Sequence, residues 1–328
     1  MKNVNINSLI FMISIFILIY SFILISKKFW PNNNLKIIRR RKARFFMPDP
    51  PPEFILLPSS PIAIKNLSYC PYYTPKDKEF SKMPIKYKHG ISIIITAYKM
   101  EKYIKESLDS ISNQTWFKER ENWEIIVGVD GCNTTLKYLQ RIIKNYKNLH
   151  VFMMEENKGT YITTNSMMSI AKYDNLLRFD ADDVMLPYLV ETLMNISESR
   201  NPDRIMFMKQ NFGKTIYGQK WAYGQIFMKH WVFDYFGGFM PWRCEGDSEF
   251  IRRVDKFIKV QYINKILFKK RVHDSNLTVL KKTKMKSLFR KWHVRYIREV
   301  SQKIKNINNA VIIKITDEYI EIFPDSII

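Results

Sequence analysis

Four short apolar runs alternate with segments of helical periodicity in the middle of the chain. Each run is almost continuous in apolar residues, which is typical of strands buried on both faces of a parallel sheet; they cover residues 91–97, 123–129, 149–154 and 175–180. After the first run, Ile104, Leu108 and Ile111 recur at steps of three or four, which predicts an amphipathic helix. The alternation predicts an α/β fold with a Rossmann-like, mostly parallel sheet flanked by helices.

The N-terminal part of the chain has a different pattern. Residues 8–25 are almost continuously apolar and carry no charge, and since about 20 residues cross a typical hydrocarbon core, we expect a transmembrane helix there. A cleaved signal peptide is the alternative interpretation. The expected anchor follows a short tail, residues 1–7, and precedes a basic, Pro-rich stem over residues 26–88.

Two sequence signals disagree about the side of the membrane on which the rest of the chain lies. Only Lys2 precedes the apolar stretch, whereas eight lysines and arginines follow it within residues 27–44, which favours the cytoplasmic side. Asn-X-Ser/Thr triplets favour a lumenal side instead; they begin at Asn66, Asn113, Asn133, Asn195 and Asn276. We expect a single-pass membrane protein, with the cytoplasmic orientation favoured by its charge asymmetry.

The charge and the cysteines limit the classes of partner. The formal net charge of +22 over 328 residues indicates anionic partners such as a membrane surface or phosphates. No nucleic-acid-binding motif accompanies the basic residues, so nucleic acid is not expected as a partner. Cys70, Cys132 and Cys244 form neither a disulfide framework nor a metal-binding spacing. The glycine-rich fingerprints of dinucleotide-binding and P-loop proteins are also missing from the sequence.

Three carboxylates, those of Asp180, Asp182 and Asp183, stand at the end of the fourth apolar run. Open α/β sheets bind their ligands at the carboxyl ends of their strands. One residue separates Asp180 from Asp182, so their oxygens can converge on Mg²⁺ or Mn²⁺, which usually shares its coordination with substrate phosphates. An Asp-rich turn before the next helix is the alternative interpretation.

An ordered set of motifs resembles glycosyltransferase family 2, whose members have the GT-A fold. The segment Phe179-Asp180-Ala181-Asp182-Asp183 is similar to the family's metal-binding motif. Four other segments are similar to motifs of the family in the expected order: residues 93–98, 107–115, 125–131 and 157–165. The resemblance implies that residues 89–278 form a GT-A domain, which moves a sugar from a nucleotide-diphosphate sugar with inversion.

The resemblance also implies roles for individual residues. The donor nucleotide would be bound by Ala97, Tyr98, Asp130, Asn157, Gly159 and Asp180. The metal ion, Mn²⁺ or Mg²⁺, would be held by Asp180, Asp182 and His273. A UDP-sugar is favoured as the donor, although Val129 replaces the first of the family's two acids at the end of this strand and leaves the identity of the base open.

A later segment is similar to the family's Gly-Gly-Phe turn and the acidic pair that follows it. Here Gly237, Gly238 and Phe239 precede Asp247, which the resemblance makes the base that deprotonates the acceptor hydroxyl. A helix N-cap is the alternative role for Asp247. Gly246 stands where the family usually has Glu. Contacts with the acceptor or the diphosphate would come from Trp242, Glu245 and Arg271, although core packing explains Trp242 equally well.

Residues 279–328 are predicted to contain a basic amphipathic helix, over residues 281–305, and a tail. Its apolar stripe includes Met285, Leu288 and Phe289, and its polar side carries lysines and arginines, among them Arg290. Such a helix either lies on an anionic bilayer or packs on the catalytic domain with its basic face in solvent.

The function expected from these observations is that of a membrane-anchored, metal-dependent, inverting glycosyltransferase. Its partners would be a nucleotide-diphosphate sugar, a hydroxyl acceptor on a glycan, protein or lipid, and a membrane. One alternative is a catalytically degenerate GT-A-like protein that binds a membrane surface or polyanions. A nucleotidyltransferase can share the fold and the Asp-X-Asp pattern, but the Gly-Gly-Phe turn and the Asp247 region argue against it.

Overall fold

The computed structural model describes residues 87–213, 220–240, 242–306 and 319–322. The predicted N-terminal tail (residues 1–7), the predicted anchor (residues 8–25) and all of the stem except its last two residues lie outside these ranges. Within the described part of the chain, none of the helices is both long and apolar enough to cross a membrane.

The four apolar runs form four parallel strands, as predicted. They are β1 (Lys88–Ala97), β2 (Trp123–Val129), β3 (Leu149–Met154) and β4 (Tyr173–Asp180). β1 pairs with both β2 and β4, and β3 lies on the far side of β2. Because Ala97 pairs with Val129 and Thr96 pairs with Asp180, the carboxyl ends of β1, β2 and β4 meet at one edge of the sheet.

The remaining strands make the sheet mixed, so the prediction of a mostly parallel sheet is wrong for this half. They are β5 (Val184–Met185), β6 (Arg204–Gly213), β7 (Lys220–Trp221), β8 (Ile226–Lys229), β9 (Val260–Val272) and β10 (Tyr319–Ile322). The sheet order is β10-β3-β2-β1-β4-β8-β6-β9-β5, with β7 beside β6. β8 runs antiparallel to both β4 and β6, and β7 also runs antiparallel to β6.

Helices cover both faces of the sheet. They are α1 (Ile104–Ser112), α2 (Asn133–Ile142), α3 (Thr160–Ser169), α4 (Leu189–Arg200), α5 (His230–Phe236), α6 (Gly246–Val254) and α7 (Leu288–Asn306), with short 3₁₀ turns at Thr115–Phe117 and Ile143–Asn145. Side chains alternate along β1, so Ile93 and Ile95 join a core with α1, α2 and α4. Ile94 faces the other core, which α3, α5, α6 and α7 complete.

The start and the inward face of α7 differ from the prediction. The helix begins at Leu288 rather than at residue 281, and residues 281–287 form turns. Arg290, predicted on the solvated side, is buried, whereas Met285 and Leu288 of the predicted apolar stripe are exposed. Arg290 is buried because its guanidinium pairs with Glu245, which offsets the cost of removing the charge from water. Ile297 is buried in the second core, so α7 packs on the domain.

Candidate active site

Three carboxylates are collected at the carboxyl end of β4. Asp180 is the last residue of the strand, and Asp182 and Asp183 lie in the turn that leads to β5. One carboxylate oxygen from each lies within 4.8 Å of the others. Like charges at this separation raise each other's pKa unless cations compensate them, so the cluster requires positive charge nearby.

Protein cations supply part of that charge. Lys270 Nζ lies 3.4 Å from Asp180 Oδ2 and 3.7 Å from Asp183 Oδ2. Arg178 donates to Asp180 Oδ1 at 2.9 Å. Burial would raise the pKa of Asp180, but Arg178 and Lys270 outweigh it and lower this pKa. Burial raises the pKa of Asp183 well above its usual value, and the neighbouring carboxylates of Asp182 and Asp180 add to this shift.

Gln225, which directly precedes β8, contacts two of the carboxylates. Its side-chain amide donates to Asp180 Oδ2 at 2.8 Å and to Asp183 Oδ2 at 2.6 Å. The backbone N–H of Arg271 donates to the other oxygen of Asp183 at 2.9 Å. Asp183 is therefore fixed by contacts from β9 and from the bend before β8, and Gln225 links it to Asp180.

Asp182 uses only one of its two carboxylate oxygens in hydrogen bonds to the described residues. Its Oδ2 accepts a hydrogen bond from Asn276 at 2.7 Å and lies 2.8 Å from His273 Nε2. Its Oδ1 has no hydrogen-bond partner among the described residues. Oxygen donors of this kind suit Mg²⁺ or Mn²⁺, so the three carboxylates fit a hard divalent cation.

His273 lies beside this cluster rather than within it. Its Nδ1 is 2.7 Å from Ser275 Oγ, and its ring stacks on Tyr103 with centroids 4.4 Å apart. The imidazole is thus held on both sides while its Nε2 faces Asp182. Its direct ligation of a metal stays a prediction.

Arg271 is engaged by the protein itself. Its Nε donates to the carbonyl of Asp182 at 2.9 Å, and its guanidinium pairs with Glu106. The same group lies over the rings of Tyr103 and Phe212, at 5.2 Å and 4.6 Å from their centroids. In this structure Arg271 supports the turn that contains Asp182, and its contact with a diphosphate stays a prediction.

The predicted base, Asp247, faces the carboxylate cluster. Its Oδ1 accepts hydrogen bonds from the Tyr161 hydroxyl at 3.2 Å and from the Ser248 N–H at 2.8 Å. Burial raises the pKa of Asp247, and Arg178 opposes this shift. Asp247 is the second residue of α6, whose N-cap position is Glu245, so the N-cap alternative is wrong.

A glycine separates the base from the cluster. A Cβ atom placed on Gly224 would lie 3.5 Å from Asp247 Oδ2 and 3.8 Å from Asp180 Oδ2. The same position is 3.8 Å from Arg178 Nη1, which also donates to the Gly224 carbonyl. Asp180, Asp247 and Arg178 therefore surround the same small space, and a side chain at residue 224 would enter it.

Two of the predicted acceptor residues have structural partners. Trp242 is buried, and its ring meets His293 of α7 edge-on at 5.7 Å, which supports core packing rather than an acceptor wall. Glu245 pairs with the buried guanidinium of Arg290, so it fixes α7 beside the start of α6. An acceptor contact by either residue stays a prediction.

The predicted nucleotide residues form a second group at the neighbouring strand end. Asp130 accepts hydrogen bonds from the N–H groups of Lys158 and Gly159 and from the Thr163 hydroxyl, at 2.8 to 3.2 Å. Asn157 donates to the Asp130 carbonyl at 3.3 Å. Asp130 is buried, and it closes the N-terminal end of α3. Its contact with a base stays a prediction.

The end of β1 offers a surface for a planar ligand. Ala97 is buried at the last position of the strand, and the next residue, Tyr98, leaves 40% of its surface exposed. Both lie at the same edge of the sheet as Asp180, because Thr96 pairs with Asp180. This placement agrees with the predicted nucleotide role of the two residues without testing it.

Sequence reasoning missed Arg178, Gln225, Lys270 and Tyr161. The first of these had a detectable signal, since a charged residue in a strand buried on both faces requires a partner. Gln225 directly precedes β8, and Lys270 and Tyr161 lie on β9 and α3, so only folding brings these three residues to the carboxylates.

Residues 92–252 match the family described as Glycosyl transferase family 2. An uncharacterized glycosyltransferase of Haemophilus influenzae is 35% identical over 112 residues, which cover 34% of this chain and 33% of that protein. Glycosyltransferase GlyG of Streptococcus pneumoniae is 24% identical over 186 residues, covering 54% of this chain and 59% of GlyG. The matches thus span between a third and three fifths of these two relatives.

Solved structures share the fold. TarS 1-349 of S. aureus in complex with UDP-GlcNAc superposes with a TM-score of 0.51 at 18% identity, covering 57% of this chain and 60% of TarS 1-349. The mannosyltransferase PcManGT from Pyrobaculum calidifontis, in complex with GDP-Man and Mn²⁺, superposes with a TM-score of 0.53 at 14% identity, covering 74% of this chain and 70% of PcManGT. The structures show a GT-A-like fold, and the sequence match identifies residues 92–252 as a glycosyltransferase domain of family 2.

Proposed function

We propose that this chain transfers a sugar from a nucleotide-diphosphate sugar, with a UDP-sugar favoured, to a hydroxyl group of a glycan, protein or lipid. The reaction would use Mn²⁺ or Mg²⁺ and invert the anomeric carbon. The observation that carries the proposal is the position of Asp247 opposite the carboxylate cluster, across Gly224. The donors named in the two structural neighbours, UDP-GlcNAc and GDP-Man, support the class of donor.

The cluster would hold the donor through its diphosphate. When bound, a divalent cation would offset the negative charge that develops on the leaving diphosphate. Asp180 and Asp182 would hold that cation, and Asp183 would orient Asp180 through Gln225. Arg178 lowers the pKa of Asp180, so this carboxylate is ionised at neutral pH. The exposed ring of Tyr98 would support the base.

The acceptor would react on the side of Asp247. The acceptor hydroxyl would give its proton to Asp247 Oδ2 while its oxygen bonds to the anomeric carbon. The bond from that carbon to the diphosphate would break, and its electron pair would leave with the nucleoside diphosphate. Tyr161 would orient the carboxylate through its hydrogen bond to Oδ1, and the raised pKa makes Asp247 a stronger base. A single displacement of this kind inverts the anomeric carbon.

The membrane part of the proposal depends on residues outside the described ranges. Residues 8–25 would anchor the protein by one span, and the basic residues that follow favour a cytoplasmic catalytic domain. Protease treatment of sealed vesicles that contain the full chain checks the orientation. Digestion of the domain on intact vesicles made with the cytoplasmic face outward is the expected result, and protection would contradict the orientation.

The catalytically degenerate alternative loses one of its supports in the structure. The departure at Gly246 has a packing reason, because a Cβ atom there would lie 2.7 Å from Cε2 of Tyr161. The acidic position itself is kept, and Asp247 reaches the carboxylate cluster. The observed geometry therefore favours catalysis over binding alone.

Release of nucleoside diphosphate from a panel of UDP- and GDP-sugars tests the proposal. Water serves as a poor acceptor, so the assay of the full chain does not require the natural acceptor. We expect release from one donor in the presence of Mn²⁺ and a large loss of release in Asp247→Asn, whose side chain has nearly the same shape. Failure to turn over any donor with either metal would contradict the proposal.

A further inference from the structure

The 277–288 segment, which joins the carboxylate cluster to α7, exposes several large apolar side chains. Leu277 is 43% exposed, Leu280 40%, Met285 61% and Leu288 69%. Single exposed apolar residues are normal on soluble proteins, but a group of them commonly marks a binding surface. No described residue covers these four side chains to the extent seen in the core.

Exposed cations are interleaved with these apolar residues. Within the segment they are Lys281, Lys282, Lys284 and Lys286, and the exposed side of α7 continues with Lys291, Arg295 and Arg298. The sequence has no Asp or Glu from residue 275 to residue 298. Cationic and apolar side chains together form the pattern by which proteins bind an anionic membrane interface.

The segment is held in shape by Arg290. The Nε atom of this buried residue donates to the Thr283 carbonyl at 2.7 Å, and Nη2 donates to the Leu277 carbonyl at 3.3 Å. Its Nη1 pairs with Glu245. Backbone bonds from the N–H groups of Leu280 and Lys284 close successive turns. The apolar side chains are thus presented outward by a braced backbone.

We propose that the 277–288 segment docks on an anionic lipid bilayer. Leu280, Met285 and Leu288 enter the interface, and the four lysines bind the phosphates and carboxylates of the headgroups. An aliphatic set of exposed side chains favours lipid over single-stranded nucleic acid, which binds by stacking on aromatic rings. The inference rests on the surface alone and does not depend on the proposed reaction.

Docking would also place the catalytic domain. Asn276, which donates to Asp182 at 2.7 Å, directly precedes Leu277. The same Arg290 that braces the segment holds Glu245, two residues before Asp247. Both sides of the candidate active site are therefore connected to the docking surface within a few residues, so a docked domain holds this site close to the bilayer.

A fluorescent label on residue 285 tests the docking in the full chain. The variant combines Met285→Cys with Cys70→Ser and carries an environment-sensitive dye, while Cys132 and Cys244 are buried. We expect a blue shift of the dye, and quenching by spin-labelled lipid, with vesicles of phosphatidylcholine and phosphatidylserine but not of phosphatidylcholine alone. Because the dye reports on residue 285, insertion of the predicted anchor elsewhere does not produce this signal.

Two sets of charge variants give the matched comparison. The first replaces the four lysines of the segment by glutamine: Lys281, Lys282, Lys284 and Lys286. The second replaces four exposed cations of α2 and the turn after it: Lys137, Arg141, Lys144 and Lys147. Both remove the same charge, but only the first set is expected to weaken the dye response. The lipid concentration required should rise about 600-fold, since each of the four lysines near an anionic surface contributes about fivefold.

Several results would overturn the proposal. An unchanged dye with anionic vesicles, or equal weakening by both sets of variants, would show that the segment has no specific contact with lipid. If the emission of the dye is already blue-shifted before vesicles are added and does not change afterwards, another part of the chain covers the 277–288 segment. Binding of RNA or heparin together with an unshielded dye on vesicles would assign the surface to polyanions.

Discussion

Substitution of Gly246 by alanine tests the link between packing and catalysis at the start of α6. A Cβ atom at this position would lie 2.7 Å from Cε2, 2.8 Å from Cδ2 and 2.9 Å from Cζ of Tyr161. Ordinary contacts of a Cβ atom begin at 3.4 Å, so the helix start or the ring must move by about 0.7 Å. Tyr161 is buried in the second core and has little room to yield.

The cost follows from that displacement. Overpacking of a buried site costs about 1–3 kcal/mol, and alanine returns up to about 1 kcal/mol because it favours helix more than glycine does. We therefore expect a net loss of about 1–2 kcal/mol in the free energy of unfolding, which lowers Tm by about 2–8 °C in a domain of this size. Because Asp247 follows directly, we also expect kcat to fall about tenfold to a hundredfold, since an error near 1 Å in a catalytic group has such effects.

Thermal unfolding and nucleoside diphosphate release measure the two effects separately. The matched background is Tyr161→Val, which removes the three ring atoms that the new Cβ would meet. In that background Gly246→Ala should be neutral or slightly stabilising. An unchanged Tm and kcat for Gly246→Ala in the parent protein would refute the packing argument, as would an equal loss in both backgrounds.

Three further outcomes follow from the charges and caps. Burial raises the pKa of Asp247, and the base must be ionised, so activity should fall as the pH decreases through a value above the pKa of an ordinary carboxyl group. A carboxylate with a raised pKa lowers the stability of the folded protein when it is ionised. The Tm of Asp247→Asn should therefore be no lower than that of the parent at neutral pH, and a lower Tm would contradict this. Asp255→Asn should lower the free energy of unfolding, measured in urea, by about 3–5 kcal/mol, because it breaks the ion pair with the fully buried Arg204. A decrease below about 1 kcal/mol would be inconsistent with a buried ion pair. Asp130→Ala should lower the free energy of unfolding by about 2–3 kcal/mol, because the N–H groups that donate to Asp130 just before α3 lose their acceptor. An unchanged free energy of unfolding would exclude this role for Asp130.

The predictable part of the fold is the part with a local signal. β1 to β4 are buried on both faces, so their apolar runs are continuous and identify both the strands and their parallel pairing. β9 is only partly buried along most of its length, and its neighbours β6 and β5 are distant in sequence. Pairing of this kind depends on contacts that no short pattern contains, and for that reason the mixed half of the sheet was not predicted.

The site divides in the same way. The Asp180 to Asp183 motif and Asp247 are each recognisable from neighbouring residues. The partners that set their charge and orientation approach from distant parts of the chain: Lys270 from β9 and Gln225 from the bend before β8. The prediction for Arg290 was wrong. Its position on the helix predicted a solvated side chain, but the side chain is buried, where it pairs with Glu245, 45 residues away in the sequence.

The central claim is that the carboxylates at the end of β4 hold a nucleoside diphosphate through a divalent cation. Calorimetric titration of UDP and GDP into the full chain, with and without Mn²⁺, measures this without requiring turnover or an acceptor. We predict that one of the nucleotides binds only when Mn²⁺ is present, that Asp182→Asn abolishes this binding, and that Asp247→Asn retains it. Equal affinity with and without Mn²⁺, or undiminished binding by Asp182→Asn, would contradict the claim.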